Sequence, residues 1–343
     1  MTRTAARRDP GRTSVGRAAR AIRAVSGALL VALAAGACGT SSLAARPGRP
    51  ASAAAAPVTA VAATTPPTSP WNTIPRHGVG ARLGPWQLRN RFLVLAALGD
   101  QGLATLRRPG KSATIVFRGD LSVPPSLRRQ GWGHVGDPDS WHGYLFDAYQ
   151  DSPPTTHKLF EVTTPAGATY QFVHRLDPGE MPNNSFVAVT PDGQWMVSGE
   201  WGRMTRLLVF PAPITNRSVP ARAAVVGMAA TINLDHPVRD VQGCAFYSPT
   251  ELLCSSTDPG TDLWPTPDQL LRITLVRPLD GAAEVGHVTS LGELPQVSDC
   301  PGSYEVEGID YDRGSGTLRV EVLPPGNCQL SIAVYEYRRV SGG

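Results

Sequence analysis

Short apolar runs, separated by glycine, proline and polar turns, fill the chain after residue 71. The most regular stretch is "NSFVAVTPDGQWMVSGEW", Asn184 to Trp201. It predicts a strand over Ser185–Val189, a turn at Thr190-Pro191-Asp192-Gly193 and a returning strand over Gln194–Ser198, because such a turn between apolar runs favours a hairpin. A third strand is predicted over Leu207–Phe210. Apolar residues seldom recur here at helical spacing, so the pattern predicts an all-β protein.

The same hairpin pattern recurs at residues 93–106, 134–146, 242–254 and 307–322, with turns ending near 102, 143, 251 and 316. Successive turn ends, including the one near 193, are 41, 50, 58 and 65 residues apart, which is blade-sized or somewhat longer. A strand, a P-D-G turn and an aromatic-led strand resemble the inner hairpin of WD-repeat and YVTN-repeat propellers. The resemblance implies a β-propeller with five blades, or with six or seven. The main rival is a β-sandwich, which would not predict one hairpin five times.

The N-terminus has the pattern of an export signal. Residues 1–37 contain seven Arg and one Asp, and the last charge is followed by an apolar run from Ala24 to Ala35. A basic leader, an apolar segment and small residues at its end are typical of a secretory signal peptide. The run is shorter than the roughly 20 residues that a membrane-spanning helix needs.

The residues around Cys38 are compatible with two ways of cleaving the signal peptide. Ala35-Gly36-Ala37 is an A-x-A site for ordinary signal peptidase. The same residues followed by Cys38 resemble the lipobox of bacterial lipoproteins, although Ala35 stands where Leu is usual. The resemblance implies a lipid-modified (palmitate-type) cysteine at position 38. We expect a protein anchored at the outer face of the cell membrane, or a secreted one if Cys38 is not acylated.

A linker is predicted next. Residues 39–70 contain ten Ala and six Pro, with no aromatic and no acidic residue. Such a segment has little to bury against a core and is expected to be a disordered tether. The predicted organisation is therefore a signal peptide over 1–37, an anchor and linker over 38–70, and a propeller over 71–343.

The remaining four cysteines make two pairs if Cys38 carries lipid. Cys244 and Cys254 flank one predicted hairpin, and a direct bridge between them requires an odd-length or bulged turn near Pro249. Cys300 and Cys328 bracket the last hairpin. We expect the bridges 244–254 and 300–328, since the spacings do not fit a metal site.

Charge and composition narrow the class of partner. The whole chain is at +4, but the leader carries +6, so residues 38–343 sum to −2. This balance argues against nucleic-acid binding. Thirty Arg against two Lys, with abundant Ala, Gly and Pro, resembles the composition of exported proteins from high-GC bacteria such as actinomycetes.

Candidate ligand positions come from aligning the hairpins on their turns. Four polar residues then stand at comparable strand starts: His134, Asn184, Gln242 and Glu307. Inner strands line the axis of a propeller, so these side chains are expected to meet at one channel mouth. Asp137 and Asp310, three residues further along, are expected to form a deeper layer. The six could bind a ligand or a Ca²⁺ ion, or form a satisfied hydrogen-bond ring without cofactor.

Two classes of function remain. The first is a monomeric, surface-tethered binding module for a protein, a glycan or the cell envelope. The second is an extracytoplasmic hydrolase, lactonase-like or glycosidase-like, with a site at the axis. The sequence contains neither H-E-x-x-H nor G-x-S-x-G, which favours the binding module.

Overall fold

The computed structural model describes residues 78–95, 101–151 and 156–340. The predicted signal peptide, Cys38 and the whole predicted linker lie outside these residues, and those predictions stay open. The elements are one α-helical turn, α1 (Pro125–Arg128), two 3₁₀ turns at Asp120–Ser122 and Gly326–Leu330, and the strands β1 (Arg82–Leu83), β2 (Trp86–Leu95), β3 (Gln101–Leu106), β4 (Thr114–Gly119), β5 (Trp132–Val135), β6 (Asp139–Trp141), β7 (Tyr144–Asp151), β8 (His157–Thr163), β9 (Thr169–Arg175), β10 (Ala188–Val189), β11 (Trp195–Ser198), β12 (Arg203–Pro211), β13 (Ala230–Arg239), β14 (Val241–Ser248), β15 (Glu251–Thr257), β16 (Asp268–Leu275), β17 (Glu284–Glu293), β18 (Glu305–Asp312), β19 (Thr317–Leu323) and β20 (Ser331–Arg339).

The strands group into blades along the chain. Blade 1 holds β3 and β4. Blade 2 holds β5 and β6 on one edge of β7, followed by β8 and β9. Blade 3 is β10 to β13 and blade 4 is β14 to β17, while blade 5 is β18, β19, β20 and β2 with β1 at its edge. Neighbours within a blade are antiparallel, and a short parallel pairing of β13 with β17 joins blades 3 and 4.

The inner strands form a closed ring. β3 contacts β6, β6 contacts β10, β10 contacts β14, β14 contacts β18, and β18 contacts β3 again. Sheets arranged radially around such a ring are a β-propeller, as the sequence predicts. The number of blades in the complete chain stays a prediction, because residues 1–77 lie outside the described part.

Blade 5 is built from both ends of the described chain. β2 pairs with β20 from Trp86 opposite Arg339 to Leu95 opposite Ser331. The Val340 N–H also donates to the Pro85 carbonyl at 2.9 Å. The N-terminal strand therefore closes the ring against the C-terminal one and leaves fewer unpaired sheet edges.

Four of the five predicted hairpins exist. In blade 3, Ala188 and Val189 pair with Val197 and Met196 around the predicted turn. The hairpins over 134–146, 242–254 and 307–322 are β6–β7, β14–β15 and β18–β19.

The hairpin predicted over 93–106 is wrong. β2 belongs to blade 5 and β3 to blade 1, so the turn-like residues between them connect two blades. The actual first inner hairpin is β3–β4, with its turn between Leu106 and Thr114. Pattern alone did not separate these cases, because a short Gly-containing connection looks the same in both.

The hydrophobic core lies between the blades. Phe186, Ile232 and Phe246 belong to a buried cluster between blades 3 and 4. Similar clusters lie between blades 2 and 3 and between blades 4 and 5, the latter including Trp86 and Tyr335. The apolar residues that punctuate the sequence therefore pack sheet against sheet, as facing sheets do.

Both predicted disulfides are present. Cys244 and Cys254 are direct cross-strand partners in β14–β15. The pairing register shifts between Phe246 and Ser248, and this is the bulge that a direct 244–254 bridge requires. Cys300 and Cys328 join the segment before β18 to the 3₁₀ turn after β19.

Candidate functional site

Asp137 lies at the centre of the ring of inner strands. Its Oδ1 accepts the Leu103 N–H of blade 1 at 2.9 Å, and its Oδ2 accepts the Ile309 N–H of blade 5 at 3.1 Å. Its main chain pairs with residues 185–187 of blade 3, where its N–H donates to the Ser185 carbonyl at 2.8 Å. One buried residue of blade 2 thus connects to blades 1 and 5 through its side chain and to blade 3 through its main chain.

Three glycines make room for this carboxylate. A Cβ on Gly102, Gly243 or Gly308 would lie less than 3.0 Å from an atom of Asp137. Their inner strands therefore approach the axis more closely than any side chain would permit. At this level the axis is filled by backbone and by Asp137, and the contacts give Asp137 a structural role.

Asp310 of β18 forms a second layer, because it contacts Thr105, two residues beyond Leu103 in β3. It accepts the Thr105 N–H at 2.9 Å, the Thr105 hydroxyl at 2.6 Å and the Arg319 guanidinium at 3.0 Å. Arg319 also donates to Glu336 at 2.7 Å. The predicted deeper pair, Asp137 and Asp310, thus does contact one strand in consecutive layers. Ligand or calcium binding there stays a prediction.

Burial raises the pKa of the axial acids. The pKa of Asp137 lies well above its usual range, chiefly because the group is fully desolvated and also because the Glu321 carboxylate is near. Burial likewise raises the pKa of Glu321 to about 8 and that of Asp139 to about 6. Removing an ionised carboxylate from water costs free energy, and the protonated form avoids most of this cost.

The four predicted strand-start residues each make local contacts. His134 Nδ1 lies 3.1 Å from Asp120 Oδ1. Asn184 donates to the carbonyls of Tyr149 and Leu159 and accepts the Ser198 hydroxyl, all between blades 2 and 3. These contacts are those of a satisfied polar network.

The other two strand-start residues lie near each other between blades 4 and 5. Gln242 Nε2 donates to Glu305 Oε1 at 2.9 Å, and the backbone carbonyl of the buried Glu307 accepts the Ser255 hydroxyl at 2.6 Å. Convergence of all four predicted side chains on one channel mouth stays a prediction.

A cleft of about 220 Å³ lies between blades 4 and 5. It lies at the end of the molecule where the inner strands β14 and β18 begin, which we call the leading end. The opposite end, where the inner hairpins turn, is the turn end. The cleft is lined by Asp240, Thr257, Pro259, Ser303, Tyr304, Glu305, Leu323, Pro324 and Gln329.

The elements of both blades position these side chains. Asp240 lies between β13 and β14 with φ 41°, and its Oδ1 accepts the Gly202 N–H at 2.9 Å. The Thr257 hydroxyl at the end of β15 accepts the Val306 N–H of β18 at 3.2 Å. Glu305 begins β18. The cleft is therefore a gap between two strand ends that hydrogen bonds hold in place.

The cleft is electrostatically negative. Asp240 and Glu305 carry the formal charges among the residues that line it, and no Lys or Arg is among them. Burial, together with the neighbouring Asp258, raises the pKa of Asp240. Behind the cleft, burial raises the pKa of Asp268 to about 7, with further contributions from Glu293 and Glu305. Once ionised, carboxylates that line a cleft without a Lys or Arg side chain attract a positively charged ligand.

The Cys300–Cys328 disulfide braces one wall. It joins the segment that leads to Ser303 and Tyr304 to the 3₁₀ turn that contains Gln329. The Tyr304 hydroxyl donates to the Ser298 hydroxyl at 3.0 Å in the same segment. The wall is thus covalently closed, and this favours a preformed shape.

The acids that line the cleft lie close in sequence to two of the predicted strand-start residues. Asp240 and Glu305 each lie two positions before the predicted Gln242 and Glu307. The sequence pattern did not indicate which loops lie opposite these acids. Only the fold places residues 257–259 and 323–329 opposite these strand starts.

A second buried charged cluster lies between blades 2 and 3. Lys158 Nζ lies 2.7 Å from Glu180 Oε1, and His174 Nε2 lies 2.8 Å from Glu180 Oε2. Ligand atoms of His174, Asp177 and Glu180 are close enough to hold a metal. The Lys158 ammonium, however, already supplies the positive charge at Glu180. We interpret this group, the Lys158–Glu180–His174 cluster, as structural.

Comparison with known proteins assigns no family to the chain. No protein-family description and no curated protein match the chain. Similar solved structures include a gluconolactonase from Xanthomonas campestris, with 14% identity and a TM-score of 0.31, over 60% of this chain and 57% of that one. The WD40 repeats of RRP9 match with 9% identity and a TM-score of 0.32, over 61% and 56%.

The Bacillus subtilis arabinanase Arb43A matches with 10% identity and a TM-score of 0.37, over 76% of this chain and 96% of that one. The match to the first two proteins spans little more than half of their lengths. These are weak similarities, and they assign no activity to this chain. In the described part of the chain, no helix is both long and apolar enough to cross a membrane.

Proposed function

We propose that this protein is an exported binding module that holds a positively charged ligand in the cleft between blades 4 and 5. The observation that carries the proposal is the lining of that cleft. Two carboxylates, Asp240 and Glu305, face a space of about 220 Å³ whose other lining residues are neutral. A concave site with few polar groups and one sign of charge favours a ligand of the opposite sign.

The chemical class of the ligand follows from the remaining lining groups. Thr257, Ser303 and Gln329 offer neutral hydrogen-bonding groups, and Pro259 and Leu323 offer apolar surface. A primary ammonium group on a short chain fits this combination, as found on a lysine side chain or an amino sugar. Both occur on proteins and cell-envelope polymers, which are the partners that the sequence predicts.

The proposal is tested with matched ligands. A lysine tripeptide and a short glucosamine oligomer should bind, and their N-acetylated counterparts should bind more weakly because acetylation removes the charge. The combined variant Asp240→Asn and Glu305→Gln should weaken binding of the charged probes by about tenfold or more. Asn tolerates the left-handed backbone at position 240, so the fold should be retained.

Asp280→Asn is the matched control, because Asp280 is an exposed acid outside the cleft lining. It should leave binding unchanged, as measured by calorimetric titration. Equal binding of acetylated and free probes, or equal loss in the control, would contradict a carboxylate-lined cation site.

Location is the second part of the proposal. The two disulfides are consistent with an extracytoplasmic protein. We infer that Cys38 is acylated and that the linker tethers the propeller to the outer face of the membrane. In a Cys38→Ser variant the protein should leave the membrane fraction and appear in the medium. Unchanged membrane association would exclude the anchor and leave the cleft proposal untouched.

Hydrolysis at the axis stays an alternative from the sequence. Among the acids whose pKa is raised by burial, Asp268 has a pKa of about 7, which lies in the range of a general acid. Its oxygens accept Thr257 and Gln296 side chains at 3.2 and 2.7 Å, and it does not line the cleft. The described contacts therefore favour the binding module.

A further inference from the structure

A group of exposed cations lies at the turn end of blades 1 and 5. Arg107, Arg108 and Lys111 belong to the β3–β4 hairpin turn, and Arg338 and Arg339 end β20. All five are exposed. We call them the basic patch.

Contacts with one hairpin turn bring members of the basic patch together. The β18–β19 turn contains Gly314 and Ser315. A Cβ on Gly314 would lie 2.5 Å from Arg107 Nε, and Arg338 Nη1 donates to the Ser315 carbonyl. Cations from two blades thus lie on either side of the same turn.

The remaining members lie close in sequence to Arg107 and Arg338. The Arg339 guanidinium lies 6.0 Å from the Tyr247 ring, and Tyr247 lies 6.1 Å from Tyr311, the residue before Asp312. Arg108 and Lys111 lie in one tight turn, in which the Lys111 N–H donates to the Arg108 carbonyl at 3.1 Å.

The basic patch has little compensating charge. Asp312 pairs with Arg107 through two hydrogen bonds of 2.9 and 2.7 Å. Arg108, Lys111, Arg338 and Arg339 have no ion pair among the described residues. The patch is therefore a positively charged surface on a chain whose residues 38–343 have a net charge of −2.

The described part of the chain begins in the same blade as Arg338 and Arg339. The Gly80 carbonyl accepts the Tyr337 hydroxyl at 3.0 Å, and the Pro85 carbonyl accepts the Val340 N–H at 2.9 Å. The sequence has 77 residues before Gly78, and they include the apolar run from Ala24 to Ala35.

We propose that the basic patch docks the propeller onto a bilayer that contains anionic phospholipids. Charge complementarity carries the inference, and the membrane anchor proposed above favours a bilayer as the partner. Exposed Arg and Lys side chains near an anionic surface each strengthen association, and their contribution falls with ionic strength. Docking through the turn end leaves the leading end, with the acidic cleft, free for a ligand. The inference does not depend on the cleft being occupied.

The test is vesicle co-sedimentation of the full chain. Vesicles of phosphatidylglycerol and phosphatidylcholine in equal parts are compared with vesicles of phosphatidylcholine alone. The protein should bind the anionic vesicles more tightly, and the difference should vanish at about 500 mM salt. The triple variant Arg108→Gln, Lys111→Gln and Arg338→Gln should lose about tenfold or more of the affinity for anionic vesicles.

The matched control removes the same charge elsewhere. Arg175→Gln, Arg217→Gln and Arg222→Gln neutralise three exposed arginines of blades 2 and 3. This variant should bind like the wild type. Because all variants keep the apolar N-terminal segment, its contribution cancels. Circular dichroism and the melting temperature confirm that each variant is folded.

Three results would overturn the proposal. Equal binding to both vesicle types would assign association to the apolar segment alone. Equal loss in both triple variants would assign it to net charge and not to the patch. Patch-dependent binding of soluble polyphosphate, without binding to anionic vesicles, would assign the patch to an anionic polymer.

Discussion

Single residues hold the centre of this propeller together, and Asp137 is the clearest case. Its two carboxylate oxygens accept backbone N–H groups from blades 1 and 5, where glycines allow the strands to approach. From the sequence, Asp137 was a candidate ligand residue. The structure shows that its side chain is a shared acceptor for blades 1 and 5, and ligand binding by Asp137 stays a prediction.

Asp137→Asn should destabilise the fold. The amide has one acceptor oxygen, so either the Leu103 or the Ile309 N–H loses its partner, at a cost of about 1–3 kcal/mol. Urea unfolding followed by circular dichroism measures the change. Asp177→Asn, on an exposed residue, serves as the control. Equal stability of the two variants would remove the central role of Asp137.

The Lys158–Glu180–His174 cluster is the second residue-scale case. Hydrogen bonds from His174 and Lys158, together with the Lys158 charge, overcome the burial that opposes ionisation and hold the pKa of Glu180 at about 2. Glu180→Gln would leave a buried ammonium without a counter-ion, which costs about 3–5 kcal/mol. The double variant Lys158→Met and Glu180→Gln should recover much of this loss. Chemical denaturation of Glu180→Gln, Lys158→Met and the double variant gives the coupling, and additive losses would show that the pair does not act together.

At the scale of elements, loops between strands form much of the lining of the cleft. The Cys300–Cys328 bridge closes the longer of the two disulfide loops, with a sequence separation of 28 against 10 for Cys244–Cys254. In the chain-entropy picture the longer loop contributes slightly more stability. It is also the bridge that braces one wall of the cleft.

Removal of each bridge should therefore have different effects. Cys300→Ala with Cys328→Ala should lower stability by about 2–4 kcal/mol and also weaken binding of the lysine tripeptide. Cys244→Ala with Cys254→Ala should lower stability but leave binding unchanged, because its partners lie in the core between blades. Thermal melts and calorimetric titration separate the two. Equal affinity in both variants would show that the bridge does not shape the cleft.

For the whole molecule, the buried acids predict how stability depends on pH. Burial is the largest contribution that raises the pKa of Asp139 to about 6, of Glu161 and Asp268 to about 7 and of Glu321 to about 8. Between about pH 4.5 and 8 the folded protein keeps protons that the unfolded chain has released, so the free energy of unfolding should fall as pH rises.

Glu180 changes the free energy of unfolding with pH in the opposite direction. Its lowered pKa contributes stability above about pH 4.5 that is lost as pH falls toward 2. Maximum stability is therefore expected at about pH 4, where the two opposing contributions cross, as measured by melting temperature across the pH range. Glu321→Gln should flatten the decline between about pH 4.5 and 8. An unchanged slope in that variant would show that Glu321 is not protonated in the fold.

Much of the architecture was readable from the chain. Four of the five predicted hairpins, both disulfides and the bulge at Phe246–Ser248 are present, because each depends on residues close together in sequence. The hairpin placed at 93–106 failed for the opposite reason: β2 finds its partner in β20, more than two hundred residues away. Local pattern specifies a strand and a turn, but not the strand with which it pairs.

The amino-acid sequence by itself determined an all-β chain of repeated hairpins with two covalent bridges, since alternation, turn chemistry and cysteine spacing are local properties. The tertiary structure alone decided that Asp137 fills the axis, that Asp240 and Glu305 face one cleft, and that cations from β20 and the β3–β4 turn share one surface. The physical reason is closure of the ring. It brings together residues from distant strands, and their burial and charge depend on neighbours that sequence order does not specify.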